Sequence, residues 1–315
     1  AQSVMNTPKA QRHEYADTNP KPGIFVISLD FEKMWGVRDH VRPSDPYAQS
    51  ILDVDRVVPA TLAIFKKYEI AATWATVGLL FADSLKEARE FWPEVRPNYQ
   101  NKLLNPYLET ELENSDERLW LAPDLIQQIS DTPAQELATH TFSHYYCREP
   151  GQTTREFEAD LAAAQRIAQA KDHALSTIIF PRHHWTSESV TLLPKHGINC
   201  WRNDPESWTH KTRVTRYLDS FLPIALSQCS KKAELPSELT GLVSIRASQF
   251  FRPYKRATKH LENLKISRMI AGVREAAHKG EIYHLWWHPH NFSHEMAANL
   301  DALELVLEEV SRLKK

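Results

Sequence analysis

Glycine is scarce in this chain, 8 residues in 315, and neither a GxGxxG nor a GxxxxGK[ST] run occurs. Phosphate-cradling loops need backbone free of Cβ, so the scarcity argues against nucleotide binding of that kind. Cysteine is scarcer still: Cys147, Cys200 and Cys229 are widely spaced, with no CxxC pair. A disulfide framework and a Cys-rich zinc site are therefore disfavoured, and a reducing compartment fits best. Neither sign of charge dominates, with 38 Lys and Arg against 40 Asp and Glu and a formal net charge of -2. Nothing in that balance attracts nucleic acid or an anionic membrane. The most apolar stretch, Ile70 to Ala82, contains Thr and Gly and falls well short of the ~20 residues that span a bilayer, so no transmembrane segment is expected. The N-terminal residues show no apolar h-region, which reads as no secretory signal and makes a cytoplasmic location the expectation.

What the chain does have is an ordinary globular composition, 42% hydrophobic and 25% charged, with ample material for a core. Residues 1–22 lack periodicity and read as an N-terminal arm. Gly23 opens a dense apolar run, Ile24 to Leu29, that ends in Asp30 and reads as a buried parallel strand presenting an acid at its C-terminal end. Val54, Val57, Val58, Leu62 and Phe65 fall at helical spacing, and Ile70 to Val77 follows as a second strand. Residues 83–118, with Pro93, Pro97 and Pro106, break the alternation and read as an insertion. Strand and helix then alternate again, to a strand Ile282 to Trp287 and a closing amphipathic helix. The unit count favours a TIM-like α/β barrel, in which residues just past the strand ends gather at one catalytic face.

The polar clusters lie at those strand ends. His140 and His144 form an HxxxH pair. On one face of a helical turn they would offer two nitrogen donors to one divalent ion, with a carboxylate as third ligand; two locally hydrogen-bonded histidines fit the spacing equally. Asp30 and Glu32 fall on one side of their strand and Phe31 on the other. Two converging carboxylates repel unless a cation or proton relieves them, although a solvated pair is the plainer reading. Arg182 follows a strand directly, where a guanidinium can orient a carboxylate or form a surface ion pair. His288 closes the segment His284 to His288 and is placed to act as a general acid or to sit in the core. Among the 9 Trp, Trp35, Trp185 and Trp287 lie near these clusters and suit stacking on sugar faces, though Trp is also good core material.

Taken in order, these segments resemble the polysaccharide deacetylases, the NodB homology domain of carbohydrate esterase family 4. Glu136-Leu-Ala-Thr-His-Thr-Phe-Ser-His144 is similar to the family's H[ST]xxH motif, and Phe25 to Asp30 to the acid-terminated strand of its first motif. Ala72 to Gly78 resembles the ATFFxxG strand, Phe180-Pro-Arg182 the FPR variant of the third motif, Trp201 to Asp204 the fourth, and His284 to His288 the fifth. The likeness runs from about 23 to 292. It departs at the first motif, where Phe31 stands between the two acids in a D-x-E arrangement. The resemblance implies a distorted TIM-like (β/α)7 barrel in a single catalytic domain over 23–315, with the insertion at 83–118. It further implies Asp30 as base, oriented by Arg182, with His288 as acid and Glu32, His140 and His144 holding a divalent ion. That ion would be Zn²⁺ first, with Co²⁺, Ni²⁺ or Mn²⁺ as alternatives. The two acids can also be assigned the other way round. Trp35, Trp185, His183, Asp204 and Trp287 are expected to contact a carbohydrate substrate. The activity implied is removal of an acetyl group from an N-acetylated sugar of a polysaccharide or glycan precursor, as in surface-polysaccharide assembly. A glycoside hydrolase and a catalytically silent sugar-binding protein are the alternatives.

Overall fold

Alternation along the first strand sets the architecture. In β1 (Ile24–Phe31), Ile27, Leu29 and Phe31 belong to the main hydrophobic core, whereas Val26 and Ser28 line an internal cavity. A strand that is apolar on one face and polar on the other needs helices outside and polar partners within. The computed structural model describes residues 22–203, 221 and 241–315. The expected arm lies outside them, Pro22 excepted. The other strands are β2 (Ala72–Thr76), β3 (Gln135–Thr139), β4 (Thr177–Ile178), β5 (Cys200–Asn203), β6 (Val243–Arg246), β7 (Gln249–Phe250) and β8 (Ile282–Trp287). All their pairings are parallel, in the order β6-β5-β4-β3-β2-β1-β8-β7.

The two ends of that order are joined in sequence by Ala247 and Ser248 alone. The Ala247 N–H donates to Asn203 O at 3.1 Å and the Ser248 N–H to His284 O at 2.9 Å. The sheet therefore curls round on itself, and β6 and β7 are two halves of one bent strand that pairs first with β5 and then with β8. Counted so, the described strands number seven and form the expected distorted barrel.

The described helices are α1 (Ala48–Leu52), α2 (Val54–Lys67), α3 (Leu85–Glu90), α4 (Pro123–Asp131), α5 (Thr154–Ala170), α6 (Ser187–Thr191), α7 (Glu262–Lys279) and α8 (Met296–Leu313). In α2 the buried Val54, Val57, Val58, Thr61, Leu62 and Phe65 form one stripe, the pattern that turns a helix onto a sheet. A Thr153–Glu156 capping box starts α5, whose buried stripe includes Leu161, Ala164 and Ile167.

Residues 83–118 are tied to the turn that follows β1. The buried Arg38 guanidinium donates to the carbonyls of Leu103 (2.9 Å), Leu104 and Asn105 (3.4 Å) and faces Glu109 at 3.8 Å. Buried Lys33 donates to Asp55 at 2.8 Å and to Arg118 O at 2.6 Å, and the Trp35 indole to Trp120 O at 2.7 Å. These bonds fix the segment's far side against the residues just after Asp30 and Glu32. Arg38→Met leaves three carbonyls without their donor, and we expect it to cost roughly 3 kcal/mol in urea unfolding. A loss below about 1 kcal/mol would show that the tether is dispensable.

Candidate metal and catalytic site

Glu32, His140 and His144 come together at the C-terminal end of the barrel, all buried, with one potential ligand atom from each within 4.8 Å of the others. Glu32 Oε2 lies 3.0 Å from His144 Nε2 and 3.4 Å from His140 Nε2. The two rings do not stand on a helical turn, as the spacing suggested. They sit in the loop after β3, where Thr141 and His144 take positive φ values of 65° and 57°, and the loop brings the ring centroids to 5.1 Å.

Hydrogen bonding fixes the state of one ring. His140 Nδ1 lies 2.8 Å from Ile179 O, and a carbonyl can only accept, so Nδ1 carries the proton. The ring's other nitrogen, Nε2, faces a carboxylate oxygen and is buried without a hydrogen-bond partner. His144 Nδ1 lies 3.0 Å from the Tyr146 hydroxyl. Burial, opposed by Glu32, lowers the His144 imidazole to about 4, so near neutrality that ring is uncharged. The Nε2 atoms of both rings face the same carboxylate oxygen. One proton can bridge one pair, whereas one cation can take all three donors. Two imidazoles and a carboxylate are also a donor set that suits a divalent ion.

Asp30 stands beside this group. Arg202 on β5 grips it with both arms, Nη1 to Oδ1 and Nη2 to Oδ2 at 2.7 Å each. Burial would raise the Asp30 carboxyl, but Arg202, then His140 and His288, hold it below the usual carboxylate range. The expectation that Arg182 orients Asp30 is thus corrected. Arg182 and His183 both adopt left-handed backbone, at φ 54° and 55°, and Arg182 turns away to pair with Asp39 at 2.6 Å. Sequence reasoning missed Arg202, although a signal was present. A charge two residues after Cys200 in a buried parallel strand shares that residue's inward face and needs a partner there. His288 Nε2 is 3.9 Å from Asp30 Oδ2 and 3.7 Å from Glu32 Oε1, while its Nδ1 lies 3.1 Å from Asn291 Oδ1.

Two of the expected substrate contacts are corrected as well. Trp35 is 2% exposed, with its indole N–H committed to Trp120 O and its ring edge against Trp120 at 4.9 Å. Trp287 is fully buried among Phe65, Phe251 and Phe292, because alternation in β8 sends Tyr283, Leu285 and Trp287 outward. Neither has a face to offer a sugar. Trp185 and His183 remain half-buried at the catalytic end, Trp185 against Trp201 at 5.1 Å and His183 edge-on to Trp286 at 4.9 Å. Asp204 lies outside the described residues.

The ligand loop is held by groups further out. A Cβ on Gly36 would run into the Glu32 carboxylate, so this glycine makes room for it. At Gly78 a Cβ would meet Phe142 Cα at 2.9 Å, and the bare backbone there lets the Gly78 N–H donate to Thr141 O at 2.9 Å. Asp160 on α5 is wholly buried and accepts from the Phe142 N–H at 2.7 Å and from the Ser143 hydroxyl.

The family model for polysaccharide deacetylases matches residues 26–201, more than half of the chain, which therefore belongs to the polysaccharide deacetylase family. Among solved structures, a candidate polysaccharide deacetylase from Mycobacterium smegmatis is 12% identical, with a TM-score of 0.59 over 93% of this chain and 85% of that one. This likeness shows the fold. A family 4 carbohydrate esterase from Streptomyces lividans, in complex with acetate, is 10% identical, with a TM-score of 0.43 over 91% of this chain and 88% of that one. A family 4 pseudoenzyme from Bacillus anthracis is 14% identical, with a TM-score of 0.42 over 94% and 62%. No curated protein matches the sequence. No described helix is long and apolar enough to cross a membrane.

Asp160 yields a pH test of the loop's support. Burial lifts its carboxyl from 3.8 to about 7, against the bonds from Ser143 and Phe142. The folded chain keeps a proton that the unfolded chain releases in that window, so stability falls as pH rises through it, by up to ~1.4 kcal/mol per pH unit. Asp160→Asn should flatten that slope in urea titrations between pH 5 and 8. An unchanged slope would mean that Asp160 is already ionised when folded.

Proposed function

We propose that the chain is a metal-dependent hydrolase that removes the acetyl group from an N-acetylated sugar of a polysaccharide or glycan precursor, with residues 23–315 as one catalytic domain. The observation that carries this reading is Glu32 Oε2 facing two imidazole nitrogens, one of them on a ring whose Nδ1 proton is committed to Ile179 O. Glu32, His140 and His144 would hold the ion, for which zinc is the best match to the donor set. When bound, the ion supplies Lewis acidity toward water and the acyl carbonyl.

The remaining roles fall to side chains of the chain itself. Asp30, kept ionised and aimed by Arg202, accepts the proton that water loses as it attacks the acetyl carbon. His288, with Nδ1 on Asn291 and Nε2 turned to the carboxylates, delivers a proton to the sugar nitrogen as the C–N bond breaks. Acetate and a free amine leave. We assign Glu32 to the ion and Asp30 to the proton because Glu32 meets the imidazoles and Asp30 meets the guanidinium. Trp185 and His183 are the side chains assigned to the sugar in this reading. Cytoplasmic assembly of a surface polysaccharide is the setting that this reading favours.

Acetate release from acetylated amino-sugar oligomers, measured with and without a chelator beside elemental analysis, tests the proposal. Chelation and His140→Ala should each abolish release. Asp30→Asn should keep the metal and lose about 10²–10⁴ in turnover, whereas Glu32→Gln should lose the metal. Glycan binding without acetate release in metal-loaded protein would point instead to a silent sugar-binding member of the family. Reducing-end release would point to a glycoside hydrolase.

A further inference from the structure

Arg182 is set free of the role first expected of it, yet it is built in at a cost. It and His183 are consecutive non-glycine residues with positive φ, a conformation that persists only where surrounding contacts impose it. Those contacts are clear on the Arg182 side. Its guanidinium lies 4.6 Å from the ring centroid of Tyr146, and Asp39 locks it there at 2.6 Å. Tyr146 is fully buried, and its backbone N–H donates to the Tyr99 hydroxyl at 3.0 Å, which brings residues 83–118 into the same support. The Tyr146 hydroxyl in turn lies 3.0 Å from His144 Nδ1, with the two rings edge to face at 5.1 Å.

We propose that Tyr146 and Arg182 are positioning residues for the metal ligand His144: the phenol oxygen accepts the Nδ1 proton and leaves Nε2 bare toward Glu32, and Arg182, clamped by Asp39, holds the phenol in place. This rests on the metal-binding reading given above. The two arginines then divide the site, Arg202 acting on the base Asp30 and Arg182 on a ligand through Tyr146. Outer partners of a metal-bound histidine set its tautomer and aim, and their loss commonly costs 10–100-fold in metal affinity. Ring contact with a guanidinium is worth less, so the Arg182 effect is the smaller.

Titration of metal-free protein with Zn²⁺ against a chromophoric competitor reads the Kd directly, independent of turnover. Tyr146→Phe keeps the ring and should weaken zinc binding about 10–100-fold. Arg182→Gln, a change at the surface, should weaken it about two- to fivefold, and Arg182→Lys should recover part of that loss. Because Arg182 acts through Tyr146, the double variant should bind zinc no worse than Tyr146→Phe alone. Arg202→Lys should leave the Kd within about twofold while lowering turnover, which separates the two arginines. Wild-type zinc binding with an unchanged Kd in Tyr146→Phe overturns this inference alone, as does an additive double variant. Failure of the wild type to bind zinc overturns both the inference and the metal-dependent reading.

Discussion

A buried carboxylate oxygen flanked by two imidazole nitrogens is the constraint around which the catalytic end of this protein is arranged. Glu32 and Asp30 are both buried, and the one guanidinium bonded to either of them, among the described residues, is that of Arg202 on Asp30. Two buried carboxylates at such close quarters are expensive for a folded chain unless positive charge answers each of them. At Glu32 the nearest partners are two imidazole nitrogens in place of a guanidinium.

The rest of the barrel secures that arrangement in tiers. Strand register places Ser28 and Asp30 on the inner face of β1, and Arg202 reaches both from β5, with Nη1 to Ser28 Oγ at 3.0 Å. A guanidinium only donates, so Ser28 accepts from it and passes its own hydroxyl proton to His284 Nε2 at 2.8 Å. Burial lowers His284 to about 3, keeping it neutral and able to accept. The arginine that fixes Asp30 is therefore itself fixed from below. On the other flank Asp160 holds the backbone of the histidine loop, and Arg38, Lys33 and Trp35 lock the turn after β1 to residues 83–120.

Period-two alternation made much of this legible. It separates Asp30 from its apolar neighbours in β1, and the acid, the histidine pair and His288 all fall at strand ends as read from the sequence. The errors came where alternation was set aside in favour of proximity. Trp287 lies beside His288 in sequence, but the same pattern that turns His284 inward turns Trp287 out. Arg182 follows its strand as closely as a motif requires, yet a left-handed turn swings it away, and no local composition announces a positive φ at arginine. Arg202 was the converse case, concealed inside a strand among Cys200, Trp201 and Asn203. HxxxH spacing correctly paired its histidines while suggesting a helix, because a loop in left-handed conformation can close the same gap.

The scarcity of glycine acquires a structural meaning from these loops. Five of the non-glycine residues with positive φ, Lys33, Thr141, His144, Arg182 and His183, lie in the turns after β1, β3 and β4. Each costs of order 1–2 kcal/mol that a glycine would avoid. Side chains at those positions carry work that a glycine could not do: Lys33 ties residues 83–118 to the barrel, His144 faces Glu32, and Arg182 covers Tyr146. Glycine is kept instead where a Cβ would collide with the site itself, at Gly36 beneath Glu32 and Gly78 beneath Phe142. Strain stored in the loops and open space left beneath them serve one end, which is to bring Glu32 and the two imidazoles to one point.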